Sequence, residues 1–127
     1  MQPPVKQVHF TANAKSQLIT LKRRTKIDTY NVLVRWALMA SLKESSIPSP
    51  IPLEENSNLV ITYETIAGQM AETIALIFRQ RLHNDNLLDD PQTIATQFKL
   101  HCHRGIGYLA GNKDIQSIED LISLALK

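Results

Sequence analysis

The chain has 127 residues, 43% hydrophobic and 20% charged, with a net charge of +2, values that suit one globular domain with a modest core. No secretory or stop-transfer run is visible, so a cytoplasmic chain is expected. The lone Cys102 rules out an internal disulfide and fits a reducing compartment.

Residues 1–4 carry Pro3 and Pro4 and read as a loose arm. Val5–Phe10 alternates, with Val5, Gln7 and His9 on one side and Lys6, Val8 and Phe10 on the other, the pattern of a short strand. Thr11 suits the N-cap of a first helix running to Arg24. Ala14, Leu18 and Leu21, spaced i, i+4 and i+7, give its core face, whereas Lys15 and Lys22 align on another side with Arg23 beside them and Ile19 between.

Thr25–Ile27 makes a turn, and Asp28 is placed to cap a second helix over Asp28–Leu42, with Ile27 stapled onto Val32. That helix is apolar nearly all round. Val32, Trp36 and Met39 form one face, continued by Leu33, Ala37 and Ala40, with Val34, Leu38 and Leu42 opposite and Arg35 as the only internal charge. Such a helix is buried on most sides. A domain this small has little interior to offer, so other subunits are expected to cover part of it.

Glu44–Asn58 breaks the periodicity. Pro48, Pro50 and Pro52 alternate with Ser and Ile, so the segment is extended and reads as a linker at 45–58 or an arm lying across a neighbour. Leu59–Tyr63 reads as a short strand or an extended lead-in. Thr65 then caps a third helix over Ile66–His83, with Ala67, Met70, Ala71, Ile74, Ile77, Phe78 and Leu82 on its apolar face. After a loop at Asn84–Asp90, Pro91 opens a fourth helix capped by Asp89 or Asp90, with Ile94, Phe98 and His101 or Cys102 inward. Gly105 and Gly107 mark a close backbone approach or a bend. Ser117 caps a last helix over Ile118–Leu126. The expected fold is mainly α, a short N-terminal strand followed by a four- to five-helix bundle in one domain over residues 5–127. Its N-terminal half has the strand–helix–turn–helix order of a ribbon-helix-helix module.

Little chemistry is visible. His101, Cys102 and His103 are sequence neighbours that diverge by about 100° on a helix, so they do not converge on one metal ion or form a nucleophile–base pair. The Gly105–Gly111 run misses the dinucleotide-binding spacing, and no phosphate loop exists. Tyr30, Tyr63 and Tyr108 lack flanking carboxylates or histidines and read as core or interface residues. No metal, cofactor or enzymatic activity is expected.

Charge is the remaining signal. Residues 1–43 carry eight basic residues against Asp28 alone, a balance of +7, whereas the rest of the chain stands at −5. Such asymmetry points the N-terminal half at an anion, with nucleic acid as the leading candidate. The candidate DNA-binding residues are Lys15, Lys22, Arg23, Arg24, Lys26 and Arg35. Cations without interleaved aromatics suit duplex phosphates better than single-strand stacking.

Leu21–Ile27, the helix Asn31–Leu42, Arg79–Leu82, Arg104–Gly107 and Ser117–Leu121 together resemble the DNA sulfur-modification protein family DndE, from about Phe10 to Leu124. The resemblance implies a small helical, non-catalytic DNA-binding component of the machinery that replaces a phosphate oxygen of DNA with sulfur. It implies an oligomer that prefers nicked double-stranded DNA and works beside other DNA sulfur-modification proteins. The nearly all-apolar second helix and the small residues of Gly105–Gly111 lead to a homo-oligomer, taken as a tetramer, with both segments at or near its contacts and no membrane involved. A nickase activity has been attached to such systems, but no residues here support one. Lys22, Arg23, Arg35 and Arg104 fall on matching stretches, whereas Lys26 stands where the family pattern has glycine. The alternative reading is a ribbon-helix-helix transcriptional repressor or antitoxin, reading bases through Lys6, Gln7 and His9.

Overall fold

A computed structural model describes residues 2–126, so Met1 of the expected arm and Lys127 at the end of the expected domain lie outside the described residues. The chain forms β1 (Gln7–His9), α1 (Ala12–Thr25), α2 (Tyr30–Lys43), β2 (Val60–Thr62), α3 (Tyr63–Ala67), a 3-10 turn (Gly68–Met70), α4 (Ala71–Asn84), α5 (Pro91–Gly111) and α6 (Ile118–Ala125). It is the mainly helical fold expected, and the short ribbon is antiparallel. Gln7, Val8 and His9 face Thr62, Ile61 and Val60. Val8 and Ile61 turn inward onto the core, and Phe10 N–H donates to the Leu59 carbonyl at 2.9 Å to extend the ribbon by one rung. The strand of the N-terminal half is therefore paired within its own chain.

α1 forms as its sequence dictates. The Thr11 hydroxyl accepts from Ala14 N–H, and Ala14, Leu18 and Leu21 are buried. The helix ends at Lys26, whose backbone is left-handed (φ 60°) while its N–H donates to the Lys22 carbonyl. A side chain in that region costs about 1 kcal/mol relative to glycine. Lys26→Gly is accordingly expected to raise unfolding free energy by about 1 kcal/mol although it removes a surface cation. A denaturant melt checks this, and a loss of stability would mean that the lysine side chain is held by a contact.

Two boundaries differ from the sequence reading. Asp28 does not cap α2. Thr29 occupies the N-cap position and makes no side-chain capping bond, and the helix starts two residues later, at Tyr30. The third helix is two helices, not one. Thr62 caps α3 through Thr65 N–H, and Gly68 takes φ 60°, which turns the chain through a 3-10 segment before α4 begins. Thr65 is therefore a residue of α3 and not its cap. Asp90, Pro91 and Ser117 take the expected capping and first-turn positions, and α5 runs unbroken through all three of its glycines.

The core lies where α2 crosses α5. Leu33, Val34, Ala37, Leu38 and Ser41 of α2 are buried, and α5 is buried on several sides through Phe98, Leu100, Cys102, Ile106 and Leu109. Gly105 makes the crossing possible. A Cβ built there would lie 1.7 Å from the Ala37 carbonyl oxygen, so the two backbones touch. At Gly107 the nearest atom is Gln17 Nε2 at 4.0 Å, and at Gly111 nothing is near. The close approach expected from the glycine run is thus an intrachain one. Phe78 and Tyr63 meet Phe98 edge-on beneath it. The Val32, Trp36 and Met39 side of α2 is covered only in part.

Candidate nucleic-acid interface

The six candidate cations divide into two groups. Lys22, Arg23 and Lys26 are exposed, and Lys15 is half-buried with its ammonium donating to Asn58 Oδ1. On a helix, Lys15 and Lys22 nearly eclipse, and Ile19 and Arg23 flank them within about a quarter turn. Together with Ser16 these residues form the solvent side of α1, opposite Ala14, Leu18 and Leu21. Ile19 is 46% exposed in the middle of this stripe. The Lys22 ammonium sits 5.1 Å from the centroid of the Tyr30 ring, which steadies it from below. No described carboxylate lies within ion-pair distance of Lys22, Arg23 or Lys26. Cations in the last turn also complement the helix dipole, which rationalises some of the charge but not its outward aim.

Arg24 and Arg35 belong to the scaffold. Arg24 Nη1 donates to the Ala110 carbonyl at 2.9 Å and ties the end of α1 to the end of α5. Arg35 Nε donates to the Ile66 carbonyl at 2.7 Å and ties α2 to α3, next to the Gly68 turn. The structure brings neither onto the exposed stripe, because each guanidinium is spent on a backbone carbonyl of another element.

Sequence reasoning missed a second pair of structural arginines. Arg104 donates through Nε to Ser41 Oγ at 2.8 Å, through Nη2 to the Ser41 carbonyl at 2.7 Å, and through Nη1 to the Ser46 carbonyl at 3.0 Å. Arg81 donates to the Leu42 carbonyl at 2.7 Å and the Ser46 carbonyl at 2.8 Å, and pairs with Asp85. The Leu42 carbonyl is one of the unpaired last carbonyls of α2, the Ser41 carbonyl also accepts the capping Glu44 N–H at 3.1 Å, and the Ser46 carbonyl lies just past the helix end. The two guanidiniums therefore tie the end of α2 to the segment that follows it. No local sequence signal exposes such a clamp, since its partners lie about 40 to 60 residues away.

The same region settles the environment of the neighbouring histidines and cysteine. His101 is fully buried and shares a hydrogen bond with the Ser41 hydroxyl through Nδ1 at 2.8 Å, on the oxygen that also accepts from Arg104. Burial, and then the cations of Arg104 and Arg81, push its pKa down to about 3. His103 donates from Nδ1 to the Lys99 carbonyl and accepts from Thr11 N–H, and burial lowers its pKa too. Burial drives the Cys102 thiol far above its ordinary range. Tyr63 donates to the Ala71 carbonyl at 2.6 Å, and its phenol is pushed up to about 12 by burial. Among the described residues no three His, Cys, Asp or Glu side chains stand together as a metal site. No described helix is long and apolar enough to cross a membrane.

The class these features define is a small, mainly helical protein with a two-stranded ribbon and one cationic helix face. The family model for the DNA sulphur modification protein DndE matches residues 7–117, and the chain belongs to that family, which is involved in DNA phosphorothioation. Its fold is similar to the crystal structure of DndE from Escherichia coli B7A, at 22% identity and a TM-score of 0.68, covering 86% of this chain and 98% of that one. A DndE mutant with two glycines changed to lysine gives 20% identity, a TM-score of 0.62, and coverage of 84% and 98%. No curated protein matches in sequence.

Proposed function

We infer that this chain is a non-catalytic DNA-binding subunit of the phosphorothioation machinery, seating duplex DNA on the solvent side of α1. The observation that carries this reading is the set of exposed cations, Lys22, Arg23 and Lys26, with no carboxylate partner among the described residues. Cations of this kind hold phosphates, so the subunit positions a backbone and is indifferent to sequence. A nick frees the duplex to bend along the protein surface, which favours nicked over intact DNA. The buried, strongly perturbed His101 and Cys102 support a role without chemistry of its own. Sulfur transfer then belongs to partner proteins in the cytoplasm. The uncovered side of α2 favours a homo-oligomer, with a tetramer as the expected size.

The repressor reading has less support, because β1 is already paired with β2 of its own chain and is not waiting for a second copy. Gel shifts on intact, nicked and single-stranded DNA of scrambled sequence separate the two. The expected result is duplex binding regardless of sequence, at least as tight on nicked DNA and weaker on single strands. Binding confined to one sequence would favour the repressor, and no binding at low salt would remove the DNA-binding role.

A further inference from the structure

Two features outside the cationic helix fit each other. The first is a groove of about 840 Å³ between α2, the end of α5 and α6. Val32, Trp36 and Met39 line one wall, with Tyr108, Leu121 and Leu124 facing them, and Arg35 and Lys43 also line it. The second is the segment between α2 and β2. From Ile47 to Pro52 every residue is either proline or directly precedes one. Both classes are sterically confined to extended, polyproline-type backbone, so these six residues form a stiff strap of about 3.1 Å per residue.

The strap is fixed at both ends. Arg81 and Arg104 hold the Ser46 carbonyl. Ser57 Oγ donates to the Phe10 carbonyl at 2.6 Å, and Asn56 accepts from Ala12 N–H at 2.7 Å. Between those anchors Pro48 is buried, whereas Ile47, Pro50, Ile51 and Pro52 are exposed, the two isoleucines at 45% and 48%. None of residues 45–58 lines the groove of its own chain. An apolar strap pinned away from its own groove is free to enter only the groove of another molecule.

We propose that the Ile47–Pro52 strap of one copy docks in the Trp36–Tyr108 groove of a second copy of this chain. Aromatic-lined grooves are the surfaces that take stiff proline-rich segments, because the ligand loses little entropy on binding. Charge agrees. The segment that carries the strap, residues 45–58, holds Glu54 and Glu55 and no lysine or arginine, whereas the groove carries Arg35 and Lys43 against Glu44. The inference rests on the oligomeric reading above and names the contact that would hold such an assembly together.

Two variants test it, read by sedimentation and by the emission of Trp36, the only tryptophan of the chain. The strap variant changes the exposed Ile47, Pro50, Ile51 and Pro52 to Ser and keeps the buried Pro48. The groove variant is Met39→Glu, which sets a carboxylate in the path of the apolar strap. Circular dichroism melts verify that both still fold. Each alone is expected to fall to a lower mass than the wild-type protein. The strap variant is also expected to show red-shifted Trp36 emission, although none of its changes lies in the groove. Mixing the two is expected to restore a larger species, since one retains an intact strap and the other an intact groove. A folded strap variant that keeps the wild-type mass, or a mixture that stays unassociated, would overturn the proposal. A wild-type protein that sediments as one chain at micromolar concentration would overturn the oligomeric reading itself, and this contact with it.

Discussion

Gly105→Ala is expected to be among the most damaging single-methyl additions this fold can suffer. The new Cβ would fall 1.7 Å from the Ala37 carbonyl oxygen, and the obstacle is backbone inside a helix, which does not swing aside. Either α2 and α5 separate along their crossing or one of them bends, and both responses expose the side chains of Leu33, Leu38, Ile106 and Leu109. Overpacking of a tight core costs about 1–3 kcal/mol and more where backbone must move, against a total stability of about 5–15 kcal/mol. A loss of at least about 3 kcal/mol in a denaturant melt is expected for Ala, and failure to fold for Val. The control lies two residues on. Gly107→Ala meets only the flexible end of Gln17, at 4.0 Å. In the middle of a helix it is expected to gain up to about 1 kcal/mol. The same chemical change thus has opposite signs on opposite sides of one helical turn. Equal effects at the two positions would place the crossing elsewhere.

Arg104→Ala should be nearly as costly. It removes donors to the Ser41 carbonyl, the buried Ser41 hydroxyl and the exposed Ser46 carbonyl at once, leaving the first only Glu44 N–H and the last only Arg81. Hydrogen bonds to a charged group are worth about 1.5–3 kcal/mol each and do not add fully, so a loss of about 2–4 kcal/mol is expected. Arg104→Lys should recover little, because one ammonium does not span the fork that reaches Ser41 and Ser46 together. The variant also carries a pH signature. His101 has a folded pKa of about 3, below its ordinary value of 6.5, so the folded state holds it neutral. The stability this contributes is complete above pH 6.5 and is lost as pH falls from there towards 3. His103 is shifted in the same direction and steepens the same decline. Removing the Arg104 cation lets the His101 pKa rise, so the variant is expected to lose less stability between pH 5 and pH 3, where the folded imidazole titrates, than the wild type does. Urea midpoints at the two pH values measure the difference.

The helices could be read from the sequence where local chemistry decides them. Thr11, Asp90 and Ser117 cap because their side chains reach backbone N–H groups three residues on, and Ala14, Leu18 and Leu21 share a face by helical spacing alone. The break at Gly68 was hidden because the apolar positions Ala67, Ala71 and Ile74 keep helical spacing across it. Periodicity reports a shared face and is blind to a turn that leaves that face aligned. The α2 cap went wrong by one residue because Asp28 and Thr29 are equally plausible caps and neither makes the bond in the end. Among the candidate cations, the exposure of Lys22 and Arg23 is legible, since α1 has one buried side and they lie off it. The tertiary hydrogen bonds of Arg24 and Arg35 are not. A charge count does not distinguish a guanidinium aimed at solvent from one aimed at Ala110 or Ile66, carbonyls that only the tertiary fold brings near. The same limit hid the clamp of Arg81 and Arg104.

The role of α1 is tested most directly by the salt dependence of DNA binding in the Lys22→Ala, Arg23→Ala double variant. Both side chains are exposed and neither joins an ion pair among the described residues, so folding should be little affected. Each phosphate contact contributes about 0.9 to the slope of log affinity against log salt on duplex DNA. The double variant is therefore expected to bind all sequences more weakly and to flatten that slope by up to about 2 units for each copy of α1 on the duplex. A folded double variant with an unchanged slope would contradict DNA binding through this helix.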